Sequence, residues 1–402
     1  MISVSEALRR VLSHRLPISS ETVSLRRAVG RVLAEPLLAD RDFPPFDRVT
    51  MDGIALAFPD GWPAPVAGNG LLIEATQFAG EPPQRLGHRA HAIEVMTGAV
   101  LPEGTQAVVR YEDVALETRD GRRYATLLLS PQPGQNIHRR GEDRRAGDLL
   151  VPVGTRLSPA EIAVAASVGK ADLLVQRTPR VAVVSTGDEL VAVDETPLPH
   201  QIRRSNGAML VAALAGRGVE AEEFHLTDDR AALTHHLVGL LETFDVLLLS
   251  GGVSAGKKDF VPEVLAELGV EKQFHQVAQR PGKPFWFGAK PGGPVVFALP
   301  GNPVSTFLCF LKYVVPFLPV APTPGSARAV LTESVTFTPD LTYFVPVSTH
   351  RDPETGQRLA RPLKGSGSGD FANLLDCDGF LELPTGRNEY PAGEAFGYLG
   401  FR

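Results

Sequence analysis

From residue 180 onward, short runs of aliphatic residues alternate with stretches of helical periodicity, and no other feature of the chain constrains its fold so strongly. Residues 181–185 read as a strand, 206–217 as a helix, 221–226 as a strand, 230–242 as a helix and 246–249 as a strand. Such alternation predicts a mostly parallel sheet covered by helices. Two further apolar strands, 284–288 and 295–299, lead to Pro300-Gly301-Asn302-Pro303. Asn302 suits an N-cap and Pro303 the first turn, so a helix is predicted to run from there to about Val315.

The remainder has a different texture. With 402 residues, 43% of them apolar, the chain has material for roughly two to four packed domains. The first 40 or so residues read helical, opening on a Ser3-x-x-Glu6 capping box. From Phe43 to about Ile137 glycine, proline and short β-rich runs dominate, which predicts a separate β module. A helix returns at Ser158-Pro159-Ala160-Glu161, stops near Gly169, and is expected to pack with the N-terminal helix. A proline-rich break at residues 316–324 precedes short β segments at 329–337, 343–348 and 380–383.

Several function classes are excluded early. A net charge of −6 with interspersed signs, and no basic stripe interleaved with aromatics, argues against nucleic acid. The apolar runs are too short to span a bilayer, and residues 1–17 form a helix face rather than a signal-peptide core, so the cytoplasm is the expected location. The two cysteines, Cys309 and Cys377, form no C-x-x-C, and Cys309 reads as a small buried apolar residue. The ten histidines show no H-E-x-x-H spacing, and no G-x-S-x-G elbow occurs.

The chemistry concentrates where residues 246–249 run into DVLLLSGGVSAGKKD, residues 245–259. Glycines let backbone N–H groups crowd around an oxyanion, lysines add charge, and Asp259 offers a hard ligand for a divalent cation. Gly251 and Gly256-Lys257 fit a P-loop, but Lys258 stands where that loop needs Ser or Thr, so a P-loop nucleotidase is excluded. Ligands of doubly wound sheets gather outside the strands' carboxyl ends. There this chain places Ser185-Thr186-Gly187-Asp188-Glu189, Thr227-Asp228-Asp229 and Pro300-Gly301-Asn302-Pro303. Each alone reads as a turn or cap; their coincidence points to a site. In Arg280-Pro281-Gly282-Lys283-Pro284, Lys283 is placed to grip an oxyanion or phosphate while Asp259 and Glu189 hold magnesium.

Seven segments in order, PPFDRVTMDGIA, RRGEDRRAGD, PRVAVVSTGDELV, SNGAMLVAAL, LLLSGGVSAGKKDF, RPGKPFWFG and ALPGNPVSTF, resemble the molybdopterin molybdenumtransferase family, the bacterial MoeA type also found as the C-terminal part of gephyrin. The likeness runs from Phe43 to Pro384. It implies an enzyme of molybdenum cofactor biosynthesis that takes adenylylated molybdopterin and molybdate, inserts molybdenum into the dithiolene and releases AMP with magnesium. The implied fold is multidomain α/β plus β. A central molybdopterin-binding α/β domain at 179–322 joins a helical segment at 1–42 that packs with 138–178, an inserted β module at 43–137, and a small β-barrel-like domain at 323–402.

By motif, the resemblance assigns chemistry to Asp52, Asp143, Glu189, Asp228, Asp259 and Lys283, with magnesium on Glu189, Asp228 and Asp259. It assigns substrate contacts to Thr97, Gly251, Gly252, Ser254, Lys257, Arg280, Pro300, Gly301, Asn302, Pro303, Ser366 and Ser368. It implies a homodimer in which Asp52, Thr97 and Asp143 belong to the other subunit's cleft, with the adenylyltransferase and acceptor molybdoenzymes as partners. The chain departs from the family at Ile54, Gly207 and Gln276. Two alternatives stand beside this reading: the adenylyltransferase itself, which is essentially the α/β domain alone, and a non-catalytic carrier or scaffold. Length argues against the first and the retained carboxylates against the second.

Overall fold

A computed structural model describes the chain at residues 1–14, 16, 19–58, 64–252, 260–319, 327–364, 367–369 and 371–402. The chain divides into two compact units: Met1–Thr22, Gly30–Val32 and Leu174–Arg402 form one, Val23–Val29 and Leu33–Leu173 the other.

The first unit is built on a six-stranded sheet in the order Ala221–Leu226, Val181–Thr186, Val246–Ser250, Val295–Leu299, Trp286–Ala289, Glu271–His275. The first four strands are parallel, and Trp286–Ala289 runs antiparallel to both its neighbours, Val295–Leu299 and Glu271–His275. Val181–Thr186, Val246–Ser250 and Val295–Leu299 are buried throughout, hence their unbroken apolar sequences. Alternate residues serve opposite cores: Val181, Val183, Val246 and Leu248 meet Leu210 and Leu214 of the helix Ser205–Ala215. Ala182, Val184, Leu247 and Leu249 meet Leu233 and Leu237 of Arg230–Thr243 and Val264 of Val261–Glu267.

The expectation for the N-terminal region is corrected in two respects. Among the described residues only Val4–Ser13 is α-helical there; a strand, Ser20–Ser24, and a short turn of 3-10 helix, Leu25–Arg27, follow. The β-branched pair Thr22-Val23 among serines favours extended chain there. The helix buries Val4, Ala7 and Val11 with Phe274, Phe285 and Phe287 of the α/β sheet, while later residues of the segment do pair within 138–178, Leu37–Leu38 lying antiparallel to Leu149–Val151. Helical periodicity fixes which face is buried, not what covers it.

The C-terminal strands close on themselves. Thr342–Arg351 pairs with Arg358–Pro362, which pairs with Arg328–Leu331, then Ala395–Gly400, then Gly379–Leu383, and so back to Thr342–Arg351. This five-stranded barrel encloses Leu331, Val345, Val347, Leu381 and Phe396. Gln279–Arg280 adds to it as a short parallel strand beside Thr342 and Tyr343.

The second unit carries a sheet in the order Ala107–Arg110, Gly53–Leu56, His91–Val95, Gly70–Gln77, Arg122–Leu127, Val114–Arg119. Its helix Pro159–Ser167 opens on a complete capping box: Ala160 N–H donates to Ser158 Oγ at 3.1 Å and Ser158 N–H to Glu161 Oε2 at 2.7 Å. Among the described residues no helix is long and apolar enough to cross a membrane.

One carboxylate of that sheet is an electrostatic anchor. Glu94 is 5% exposed and accepts from the Arg123 guanidinium, from Thr76 Oγ1 at 2.8 Å and from Tyr111 Oη at 2.9 Å. The Arg123 bonds chiefly, working against burial, hold its pKa down from 4.5 to about 2. Because the folded value lies below the unfolded one, the stabilisation is present above pH 4.5 and is lost as pH falls through about 2. Glu94→Gln is expected to cost about 2 kcal/mol at pH 7, with the difference from the parent vanishing toward pH 2, as read by thermal melts across that range.

Candidate functional site

The carboxyl ends of the parallel strands supply four loops: Gly187-Asp188-Glu189 after Val181–Thr186, Thr227-Asp228-Asp229 after Ala221–Leu226, Gly251-Gly252 after Val246–Ser250, and Pro300-Gly301-Asn302-Pro303 after Val295–Leu299. Residues of all four line one cavity of about 680 Å³, together with the Arg280-Pro281-Gly282-Lys283 turn and Tyr343 and Phe344 of the barrel. Burial raises the pKa of Tyr343, and the positive charge of Arg280 offsets part of that rise.

Glycine is a steric requirement here. Gly251 has φ 101°, and a Cβ on it would lie 2.8 Å from the Thr186 carbonyl oxygen. Gly252 has φ 67°, and its Cβ would lie 2.8 Å from Val261 Cγ2. At Gly301 a Cβ would lie 3.8 Å from the Gly251 Cα, so two loops bring bare backbone together at the cavity wall.

The acidic loop after Ala221–Leu226 divides its work between neighbours. Asp229 caps the helix Arg230–Thr243, its Oδ1 accepting from Ala232 N–H at 2.8 Å. Asp228 lines the cavity instead, as does Glu189, and its backbone N–H donates to Asp188 Oδ1 at 3.1 Å. Asp259, the third expected metal ligand, lies outside the described residues, as do Ser254, Lys257, Lys258 and Ser366.

A second cavity of about 530 Å³ shares Thr186, Glu189, Gly251, Gly301 and Asn302 with the first and extends to Ser185, Arg203, Arg204 and Asn206. The hydroxyls of Ser185 and Thr186, residues 1% and 4% exposed, are buried without a hydrogen-bond partner among the described residues, as is Asn206 Oδ1. Asn206 Nδ2 is fixed by Ser250 Oγ at 2.9 Å and the Gly301 carbonyl at 2.8 Å. Buried oxygens of this kind are completed by a polar ligand or by ordered water. Two carboxylates, Glu189 and Asp228, and the Thr186 hydroxyl are hard oxygen donors around one cavity and fit a magnesium ion, although no group of three His, Cys, Asp or Glu occurs among the described residues.

Asn302 corrects its sequence-based role. It occupies the N-cap position of Pro303–Cys309, yet its side chain makes no capping bond. Its Nδ2 donates to Ser368 Oγ at 2.8 Å, and the Ser368 carbonyl accepts from Val304 N–H at 3.1 Å, so the barrel's loop is held at the cavity edge. The predicted helix continues after Cys309 as a π-helical turn, Phe310–Val314, and ends in Val315–Phe317.

In the second unit, Asp52 and Thr97 come together: Asp52 Oδ1 accepts from the Thr97 hydroxyl at 2.7 Å and the Thr97 N–H at 2.6 Å. Those two bonds, the hydroxyl's first, hold the Asp52 carboxyl below its usual range. Asp143 is exposed, with Oδ1 3.0 Å from His138 Nε2.

Three family models match the chain: the MoeA N-terminal region (domain I and II) over residues 2–169, a probable molybdopterin binding domain over 182–320, and the MoeA C-terminal region (domain IV) over 328–401. A molybdopterin molybdenumtransferase of Synechocystis sp. is 38% identical, with all of both chains covered. The chain belongs to the molybdopterin molybdenumtransferase family. A second such transferase, from Bacillus subtilis, is 33% identical over all of this chain and 94% of its own. A crystal structure of a molybdopterin biosynthesis MoeA protein from Pyrococcus horikoshii superposes with a TM-score of 0.82 at 33% identity, covering 100% of this chain and 99% of that one.

Against the family pattern, the departure at Ile54 concerns packing, because Ile54 is fully buried in the sheet of the second unit. Gly207 lies beside the second cavity's orphan hydroxyl: a Cβ there would stand 3.1 Å from Ser185 Oγ. Gln276 takes a left-handed backbone, φ 71°. Sequence reasoning in this transferase named Ser185 and Thr186 only as part of a loop, with no role of their own, and passed over Gln279 and Tyr343. The first two end a strand; Gln279, a lone amide before a cationic turn, carried a visible signal.

Proposed function

We propose that this transferase binds adenylylated molybdopterin and molybdate, inserts molybdenum into the dithiolene and releases AMP with the help of magnesium. The observation that carries the reading is the pair of cavities that share one wall of glycine loops. A substrate with a nucleotide at one end and a pterin at the other, joined through phosphates, needs two ring-sized recesses on either side of an anion platform.

In this reading Gly251, Gly252 and Gly301 present backbone to the phosphates, while Arg280 and Lys283 balance anionic charge. Magnesium bound by Glu189, Asp228 and Asp259 supplies Lewis-acid charge at the phosphoanhydride. Ser254, Lys257, Pro300, Pro303, Ser366 and Ser368 add contacts, and Asn302 keeps Ser368 at the rim. Thr97 holds the Asp52 carboxyl below its usual range. We assign Asp52, Thr97 and Asp143 to the opposing subunit of a cytoplasmic homodimer, and take 43–137, 179–322 and 323–402 as its separate domains.

The deciding experiment supplies purified protein with adenylylated molybdopterin and magnesium. AMP release is expected only when molybdate is added and is abolished by a chelator of divalent cations. Adenylylated product accumulating from molybdopterin and ATP would instead assign the chain to the preceding adenylyl transfer.

A further inference from the structure

We infer that Gln279 is the positioning residue for the turn that carries Arg280 and Lys283, and that its grip on that turn sets the affinity for the oxyanion substrate. The inference rests on reading the turn as the anion-binding element of the proposed site. Gln279 is fully buried within the cavity's wall, and Arg280 and Lys283 line the same cavity.

A Pro-Gly-Lys-Pro turn has little of its own to hold it, because prolines 281 and 284 have no N–H to donate. The Gln279 amide supplies what is missing. Its Nε2 donates to the carbonyls of Pro281 at 3.2 Å and Gly282 at 3.3 Å, drawing the turn's backbone down and leaving its cationic side chains on the cavity side. The fit is close: Gly282 has φ 89°, and a Cβ on it would lie 2.7 Å from Gln279 Nε2 and 2.8 Å from Cys309 Sγ.

The amide is itself held from two directions. Its backbone is paired to the barrel strand Thr342–Arg351, and its Oε1 accepts from the Tyr313 hydroxyl. Tyr313 is fully buried within the π-helical turn Phe310–Val314, a distortion of the kind that re-aims a side chain near functional sites. That helix starts at Pro303, directly after the Pro300–Pro303 loop, so the Tyr313 bond fastens the cationic turn to the helix that follows a second cavity loop. A buried amide costs free energy unless its groups are bonded, and an apolar residue would fill the space; the turn's carbonyls account for a glutamine here.

The test measures molybdate binding to the whole purified protein by titration calorimetry, alongside KM and kcat for AMP release. Gln279→Met, similar in volume and without donors, is expected to weaken molybdate binding and raise its KM by about tenfold, with kcat and the KM for adenylylated molybdopterin nearly unchanged. Tyr313→Phe is expected to act in the same direction by about threefold and decides the matter if Gln279→Met does not fold. Lys283→Ala is the control for the turn. If it leaves molybdate binding unchanged, the turn is not the anion site and the inference falls with that reading. If Lys283→Ala weakens binding while the Gln279 and Tyr313 variants bind like the parent, the inference alone is overturned. A uniform loss of kcat and both affinities with a lowered melting point overturns it as well.

Discussion

Asp228→Asn is expected to lower molybdate-dependent AMP release by about two to three orders of magnitude while leaving the thermal transition in place. Asparagine keeps the volume and the backbone of the loop, including the Asp228 N–H that meets Asp188, and removes only the charge that faces the cavity. The neighbouring carboxylate provides the converse. Asp229→Ala removes the cap on Arg230–Thr243 and is expected to cost about 1 kcal/mol, or roughly 2–4 °C, with turnover retained. Assaying AMP release and melting on both variants separates the roles. Equal activity in the two would refute the division of labour between these adjacent aspartates.

Gly251→Ala is the other large effect expected. The residue must hold φ 101°, and its added methyl meets the Thr186 backbone oxygen at 2.8 Å, an atom that cannot move aside without shifting a central strand of the sheet. We expect a loss of about 2–4 kcal/mol, a melting point lower by roughly 5–12 °C, and activity below detection because the platform itself is displaced. Gly239→Ala applies the same chemical change inside the helix Arg230–Thr243, where nothing lies within 4 Å of the new methyl. There the sign reverses, to a gain of about 0.5–1 kcal/mol, so differential scanning calorimetry on the two variants distinguishes backbone geometry from side-chain size.

Much of the central sheet was legible because strands covered on both faces need unbroken apolar runs, and VAVVS, VLLL and VVFAL have them. The barrel strands were legible as β segments, but their closure depends on which strand meets which, and alternation carries no such information. The first helix shows the same limit: Val4, Ala7 and Val11 define a face, and only the packed structure shows that it covers phenylalanines some 270 residues away. At the site, charge and glycine pointed to the loops that line the cavity, yet could not tell Asp228 from Asp229, or foresee that Asn302 would reach for Ser368. Asp52, Thr97 and Asp143 came from family likeness alone, since an isolated Met-Asp-Gly or Met-Thr-Gly reads as an ordinary turn. Ser185 and Thr186 were legible as part of a site loop, but not as hydroxyls left without a partner, which only the packed structure shows.

The docking of Val4–Ser13 into the α/β sheet has a consequence for biosynthesis. The helix leaves the ribosome early, but Phe274, Phe285 and Phe287 follow only after about 260 further residues, which at 5–20 residues per second is a delay of roughly 13 s to a minute. Meanwhile Leu33–Leu173, nearly all of the second unit, is synthesised without interruption and has its whole sheet available to it. The second unit is therefore complete in the nascent chain well before the first helix's partners emerge, and through that interval the amphipathic helix lacks the phenylalanines that cover its apolar face, the stage at which a chaperone would find it.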